Sequence, residues 1–314
     1  MKSEKILFDF LHSLLICIMT TAKWTQYVRG VPLPKAPWFS EKNCNDAMYY
    51  IPHNGDVIIC SFPKTGTSWL QYIVQQIISK GQPLPKFMDL YYKIIPFIEM
   101  AGIEAVEALT KPRIYKHHFS QNAIPIRDNA KYIYIYRNPE DVLISYFHFC
   151  ANIVEEVLTI DDFLEDFVKG ILWYGDYCDH VLSFLSQAKR ENVFVCTYEN
   201  LISNRKEEVL RLAKFLGEEH YEYLSKDEAT LDRIVAQTEF EYMKANVAMM
   251  LPEMKQEEES SGGPDRKVDY FRKGIVGDGK KSLTESQLKK IREYVATKVN
   301  GTLLAEKWLP NEQN

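Results

Sequence analysis

The hydrophobic pattern of the chain alternates between short apolar runs and longer segments with helical spacing. The short runs are rich in β-branched and aromatic residues, which is typical of buried strands. They lie at Asp56–Cys60, Arg113–His118, Lys131–Arg137 and Val193–Tyr198. Because strands alternate with helices, the pattern predicts a single α/β domain with a central parallel sheet of about five strands, flanked by helices on both faces.

The predicted helices have recognisable starts and stops. Asn138 is suited to an N-cap before Pro139, and Thr284 to the N-cap of the last helix. Gly217 is suited to ending a helix. The sequence predicts helices at 45–50, 70–78, 142–149, 160–168, 174–188, 206–216 and 284–299. The stretch 84–109 is predicted to be a loop that includes a short helix.

The segment Ser61–Trp69 joins the first strand to the following helix and contains Pro63, Lys64 and Gly66. A tight turn, a lysine, several hydroxyls and the free N–H groups of a helix start form a cradle for an anion such as phosphate. Lys64 precedes Gly66, so the order differs from that of a Walker A loop. An ordinary βα turn with a surface lysine is the alternative.

Composition restricts the function classes. The chain has 314 residues, 46% of them hydrophobic, which is enough for a substantial core, and its net charge is −5. That charge argues against a nucleic-acid binder with a basic surface. Its six cysteines include no Cys-x-x-Cys pair, which favours free thiols in a reducing, cytoplasmic compartment over disulfides or a zinc site.

The first 23 residues are predicted to be an extension of the domain at 24–314. Ile6–Met19 is mostly apolar but interrupted by Asp9 and His12. Its uninterrupted part is too short to cross a bilayer. We expect an amphipathic or loosely attached, dispensable segment without stable membrane insertion, whereas a signal peptide or short anchor is the alternative.

Several cationic or polar residues are predicted to meet at the carboxyl edge of the sheet: Lys64, Lys116 with a histidine, Arg137 and Tyr198. The basic loop Arg272-Lys273-Gly274 adds two charges. Each residue also has an ordinary structural interpretation, but like charges grouped together repel one another unless an anion holds them.

With these motifs in place, the sequence resembles the cytosolic sulfotransferase family over about Trp24–Leu303. The resemblance rests on Pro63–Trp69, on Tyr136–Pro139 with Asp141 and Ser145, and on Arg272–Gly274 with Gly277-Asp278. It implies a fold like that of P-loop nucleotide kinases. It also implies 3′-phosphoadenosine 5′-phosphosulfate (PAPS) as the donor, with no metal required, and a hydroxyl or amine of a small molecule as acceptor.

The resemblance also implies roles for individual residues. Catalysis would fall to Lys64, Lys116 and His118. The 5′-phosphosulfate would be held by Lys64, Thr65, Gly66, Thr67, Ser68 and Trp69; the 3′-phosphate by Arg137, Ser145, Arg272, Lys273 and Gly274; and the adenine by Trp69, Tyr198, Thr238 and Phe240.

Two adjacent histidines could serve as the general base. Strand alternation places Lys116 and His118 on one face of the sheet and His117 on the other. We therefore assign His118 as the base, with Lys64 stabilising the leaving group. A flat apolar acceptor such as a phenol or steroid would suit the surrounding aromatic residues, predicted to be Trp38, Phe39, Tyr91, Tyr92, Phe97, Phe147, Phe149 and the loop 247–254.

The sequence departs from the family pattern at three places, one of which is the reduction of the Asn-x-Phe-Thr pattern to Lys281-Ser282-Leu283-Thr284. Gly279 stands where the family usually has tryptophan, which predicts a less ordered closing loop. Glu285 and Lys289 replace the valine and glutamate of the family's dimer motif, which predicts a monomer or a different dimer. The alternatives are a nucleotide-binding member with little turnover, a P-loop small-molecule kinase and a membrane-anchored carbohydrate sulfotransferase.

Overall fold

The computed structural model describes residues 24–153, 158–247 and 271–309. Its centre is a four-stranded, fully parallel sheet in the order β4-β3-β5-β6. The strands are β3 (Val57–Ser61), β4 (Ile114–His117), β5 (Lys131–Tyr136) and β6 (Val193–Thr197), and a separate antiparallel hairpin joins β1 (Thr25–Val28) to β2 (Val31–Pro34). The predicted parallel α/β sheet is confirmed, with four strands in the described residues where about five were expected.

Helices surround the sheet. They are α1 (Glu41–Tyr49), α2 (Thr67–Ile78), α3 (Phe87–Asp89), α4 (Ile98–Ala101), α5 (Ile103–Glu107), α6 (Pro139–Ile153), α7 (Ile160–Val168), α8 (Tyr177–Leu185), α9 (Tyr198–Ser203), α10 (Arg205–Leu216), α11 (Glu218–Lys226), α12 (Glu228–Gln237), α13 (Phe240–Asn246), α14 (Asp278–Ser282), α15 (Glu285–Val299) and α16 (Leu303–Trp308), with a π-helical turn at Leu90–Ile94.

The helix starts follow the predicted capping chemistry. Helix α6 begins at Pro139, and the Asn138 side chain accepts the N–H of Glu140. Thr284 caps α15 in a capping box with Gln287. Helices α11–α13 were not predicted, because each buries only one to three of its residues.

The strands are buried along nearly their whole length, as expected for a parallel sheet covered on both faces. A parallel bridge between Phe97 and Lys116 extends the pairing beyond β4. This arrangement brings the carboxyl ends of all four strands to one edge, where the predicted site residues lie.

The predicted extension at 1–23 lies outside the described residues. Within the described ranges, no helix is long and apolar enough to cross a membrane, and no group of histidine, cysteine or acidic residues is arranged to hold a metal ion.

Candidate active site

The loop after β3 turns sharply around Lys64 and Gly66. Lys64 has φ of 67° and Gly66 has φ of 105°, both in the left-handed region. A Cβ at position 66 would lie 2.8 Å from the Tyr198 ring, so glycine is required for space as well as conformation. The Thr65 hydroxyl donates to the carbonyls of Phe62 and Ile135, which ties the loop to the end of β5.

Lys64 is held in an environment that disfavours its charge. Burial, assisted by the nearby Arg137 and Arg272, lowers the pKa of its ammonium group to about 7. The ammonium lies 4.2 Å from the centre of the Phe149 ring. The expected grouping of like charges is therefore present, and an anion bound among them would favour protonated Lys64.

His118 is held in one orientation by Ser61. Its Nδ1 lies 2.8 Å from the Ser61 carbonyl oxygen, so Nδ1 carries the proton and donates it. Its Nε2 is then an acceptor, 3.2 Å from Lys116 Nζ. Burial and the adjacent Lys116 hold the pKa of His118 well below its usual range, which keeps the ring neutral and able to accept a proton.

His117 points to the opposite face, as alternation along the strand predicted. Its Nε2 lies 3.3 Å from Cys60 Sγ. Burial lowers the pKa of His117 to about 3. His118 lines the central cavity and His117 does not.

The residues expected around a 3′-phosphate converge where α6 meets the 271–279 segment. Arg137 donates to the Ile275 carbonyl at 2.8 Å and lies 3.3 Å from Asp141. Its buried Nε has no hydrogen-bond partner among residues 24–153, 158–247 and 271–309. Arg272 and Lys273 also border the cavity, and both pair with Asp278.

Gly279 is packed against α6 and hydrogen-bonded to it. Its N–H donates to Asp141 Oδ1 at 2.7 Å, and that of Gly277 donates to Oδ2 at 2.9 Å. A Cβ at position 279 would lie 2.3 Å from the backbone of Glu140, at the start of α6. Glycine therefore serves close packing between α14 and α6.

Three of the predicted adenine residues, Trp69, Tyr198 and Phe240, line the cavity beside the loop, and Thr238 is buried. The Trp69 and Tyr198 rings meet edge to face at 5.3 Å, and Trp69 Nε1 donates to the Thr238 carbonyl at 2.8 Å. Phe240 packs against Gly274, where it leaves no room for a Cβ. Arg205, which was not predicted, lies 5.3 Å from the Trp69 ring.

One continuous cavity of about 310 Å³ connects these parts. Thr65 and Thr238 do not line it, whereas the other predicted site residues do: Lys64, Gly66, Thr67, Ser68, Trp69, Lys116, His118, Arg137, Ser145, Tyr198, Phe240, Arg272, Lys273 and Gly274. Of the predicted acceptor residues, Phe147 and Val247 do not line the cavity, and 248–254 lies outside the described residues.

Other cavity residues were missed. They include the aromatic side chains of Trp24, Phe87, Tyr146, Trp173 and Tyr174. Tyr91 was expected only as an aromatic wall, yet its hydroxyl hydrogen-bonds Ser68 and accepts from Lys116 at 3.3 Å. Its place between two predicted active-site residues depends on tertiary contacts, which no local sequence pattern reports.

Comparison with known proteins agrees with this geometry. The sulfotransferase domain family model matches residues 54–303. Human Sulfotransferase 1C2 is 32% identical over 79% of this chain and 84% of its own length. Mouse Sulfotransferase 1B1 is 32% identical over 80% of this chain and 84% of its own length.

Solved structures share the fold. Mouse sulfotransferase SULT7A1 complexed with PAP, the desulfated form of PAPS, superposes with a TM-score of 0.70 at 24% identity, covering 91% of this chain and 97% of that one. Retinol dehydratase in complex with androsterone and PAP gives a TM-score of 0.67 at 20% identity, covering 89% and 91%. The chain belongs to the cytosolic sulfotransferase family, and it is a PAPS-dependent sulfotransferase.

Proposed function

We propose that this enzyme moves the sulfuryl group of PAPS to a hydroxyl, or an amine, of a small and largely apolar acceptor, with His118 as base and Lys64 stabilising the leaving group. The observation that carries the proposal is the orientation of His118. Ser61 fixes its Nδ1–H and leaves Nε2 as an acceptor in the cavity that Lys64 also lines.

The residues of the cavity suit a nucleotide with phosphate at both ends. The turn at Lys64–Gly66 and the start of α2 offer cationic and N–H donors at one end. Arg137, whose Nε lacks a partner among the described residues, offers donors at the other, together with Arg272 and Lys273. The Trp69 and Tyr198 rings between them suit a base. PAPS supplies the sulfuryl group and carries the leaving phosphate.

Each side chain then has one task. As the acceptor oxygen bonds to sulfur and the bond from sulfur to the bridging phosphate oxygen breaks, His118 Nε2 takes the acceptor proton. Protonated Lys64 meets the charge that grows on the departing 5′-phosphate oxygen. Lys116 lies beside His118 and supplies a second positive charge to the sulfuryl oxygens.

The acceptor end of the cavity favours flat apolar molecules. Aromatic rings dominate it, among them Trp38, Phe39, Tyr92 and Phe97, with Met88 and Met100. A guinea pig relative named 3-alpha-hydroxysteroid sulfotransferase is 31% identical over 88% of this chain. The structural neighbour retinol dehydratase was solved with androsterone and also with retinol. Phenols and hydroxysteroids are accordingly the first acceptors to test.

The alternative of a nucleotide-binding protein with little turnover rests on Gly279 in place of the family's tryptophan. The hydrogen bond of Gly279 to Asp141 and its packing against Glu140 favour the enzyme over this alternative.

The test is a panel of acceptors incubated with purified protein and PAPS carrying a radiolabelled sulfuryl group. We expect labelled product with at least one phenol or hydroxysteroid, and none with Lys64→Ala. Intact nucleotide binding without transfer to any phenol, sterol or amine would contradict the proposal.

We also propose that residues 1–23 are dispensable and that the enzyme works in the cytoplasm. All five cysteines within the described ranges are buried free thiols, which suits a reducing compartment. Removing residues 1–23 should leave turnover unchanged, and the full chain should fractionate with the cytosol. Loss of activity on truncation would contradict the first proposal, and recovery in membranes the second.

A further inference from the structure

One hydroxyl lies between the two sides of the proposed active site and has no part in the scheme above. Tyr91 lines the cavity and has 5% of its surface exposed. Its hydroxyl accepts from Lys116 Nζ at 3.3 Å and shares a hydrogen bond with Ser68 Oγ. Lys116 belongs to the acceptor side, on β4, and Ser68 to the nucleotide side, in the first turn of α2. The Tyr91 hydroxyl therefore joins the two sides.

The backbone holds this side chain in a defined place. Tyr91 lies in the π-helical turn Leu90–Ile94, a rare conformation that is often found at functional sites. Its carbonyl accepts the N–H of Phe97, and Phe97 pairs with Lys116 in a parallel bridge. The Tyr91 ring stacks on that of Phe87, with the ring centres 4.1 Å apart. The turn and the ring packing therefore fix the hydroxyl relative to β4.

The hydrogen bond from Lys116 to Tyr91 becomes important when an acceptor binds. Lys116 Nζ also lies 3.2 Å from His118 Nε2. A neutral imidazole with its proton on Nδ1 can accept one hydrogen bond, at Nε2. An acceptor hydroxyl that gives its proton to His118 must therefore take the place of Lys116 there. The Tyr91 oxygen is the hydrogen-bond partner that Lys116 then keeps, and the Phe97 ring, 3.7 Å from Nζ, contacts the same ammonium.

We propose that Tyr91 is a positioning residue for sulfuryl transfer: its hydroxyl keeps Lys116 beside the sulfuryl group when the acceptor occupies His118 Nε2, and it orients Ser68 toward the nucleotide. This inference rests on the proposed function. Tyr91 itself neither gains nor loses a proton in this role. It sets a cation of the acceptor side and a hydroxyl of the nucleotide side at fixed places relative to each other, as in-line transfer requires.

The variant Tyr91→Phe removes only the hydroxyl and keeps the ring that lines the cavity. We expect kcat to fall about tenfold, as for one hydrogen bond to a charged group, while the KM for the acceptor changes little. The dissociation constant of PAP should rise about threefold to tenfold, the range for one neutral hydrogen bond. The matched control is Tyr223→Phe on α11, which removes a hydroxyl that donates to Asp227 at 3.2 Å. Its kcat and PAP affinity should equal those of the wild type.

Two double-mutant cycles separate positioning from a general loss of structure. In Lys116→Met, measured by single turnover, adding Tyr91→Phe should lower the rate of sulfuryl transfer no further, because the lysine that Tyr91 holds is gone. In Ser68→Ala, adding Tyr91→Phe should weaken PAP binding no further, because the hydroxyl that Tyr91 orients is gone. A Tyr91 hydroxyl that served only the fold would give the same loss in every background. Thermal melting checks that each variant is folded.

The cycle on PAP binding does not depend on turnover. A wild-type kcat or a wild-type PAP affinity in Tyr91→Phe would overturn the inference, and so would additive losses in either cycle. A non-additive PAP cycle in a protein that transfers no sulfuryl group to any acceptor would refute only the proposed function.

Discussion

Asp141 Oδ1 accepts the N–H of Gly279 at 2.7 Å and Oδ2 that of Gly277 at 2.9 Å. The same carboxylate lies 3.3 Å from Arg137 Nη2. Asp141 is buried at the start of α6, where the helix dipole favours its charge. The Asp141 side chain thus holds the 277–279 turn against α6 and orients Arg137. The proposed 3′-phosphate site therefore depends on a contact between two residues that are 138 positions apart in the sequence.

The first prediction concerns restoring the family's tryptophan. Gly279→Trp should destabilise the protein by about 1–3 kcal/mol, the cost of overpacking a filled interior, because the Glu140 backbone occupies the space. PAP binding, measured by calorimetry, should weaken with it. Lys281→Trp, at an exposed position on the same helix, is the control and should leave both unchanged. A stable Gly279→Trp protein with normal affinity would contradict this account.

The second prediction concerns Asp141. In Asp141→Asn one backbone N–H loses its acceptor, since the amide NH₂ cannot accept. The dissociation constant for PAP should rise about tenfold, as expected for one buried hydrogen bond to a charged group. Asp232→Asn, at an exposed carboxylate of α12, should bind as the wild type does. Equal affinities in the two variants would show that Asp141 does not organise the site.

The third prediction follows from the lowered lysine pKa values. Lys64 and Lys116 both have a pKa of about 7 without ligand. A bound dianion raises these values, because it favours the charged form. The protein should therefore take up protons when PAP binds at about pH 8.5, and few when it binds at about pH 6. The affinity for PAP should fall as the pH rises through the pKa values of the unliganded lysines.

Proton uptake is measured by calorimetry in buffers of different ionisation enthalpy. Lys64→Met removes one titrating group and should reduce the uptake at the higher pH. Binding enthalpies that do not depend on the buffer at that pH would show that the lysines keep their charge without nucleotide.

The fourth prediction separates the two histidines. His118→Ala should lower kcat by at least about 100-fold, the scale of a lost general base. His117→Gln, on the opposite face of β4, should retain most of the turnover at a temperature where it is folded, checked by thermal melting. Comparable losses in both variants, with both folded, would contradict the assignment of the base.

The positions of the strands could be predicted from local sequence, because β-branched runs indicate them. The order of the site residues along the chain could also be predicted, because turn residues mark the loops that follow the strands. The alternation along β4 was enough to separate His118 from His117. The packing at Gly279 could not be predicted, because a glycine in sequence suggests conformational freedom and only the opposing backbone of Glu140 shows that the position needs space. The hydrogen bonds of Tyr91 were missed for a similar reason: its hydroxyl reaches Ser68 across 23 residues and Lys116 across 25, and no local pattern encodes these contacts.

The measurement that tests the central claim most directly is a single turnover with enzyme in excess over PAPS, in the presence of an acceptor identified from the panel. We predict that sulfated acceptor and PAP form together in equal amounts in the wild type. In Lys64→Ala and His118→Ala, both should form at least about 100-fold more slowly. PAP release without sulfated product, or normal rates in both variants, would contradict sulfuryl transfer by this constellation.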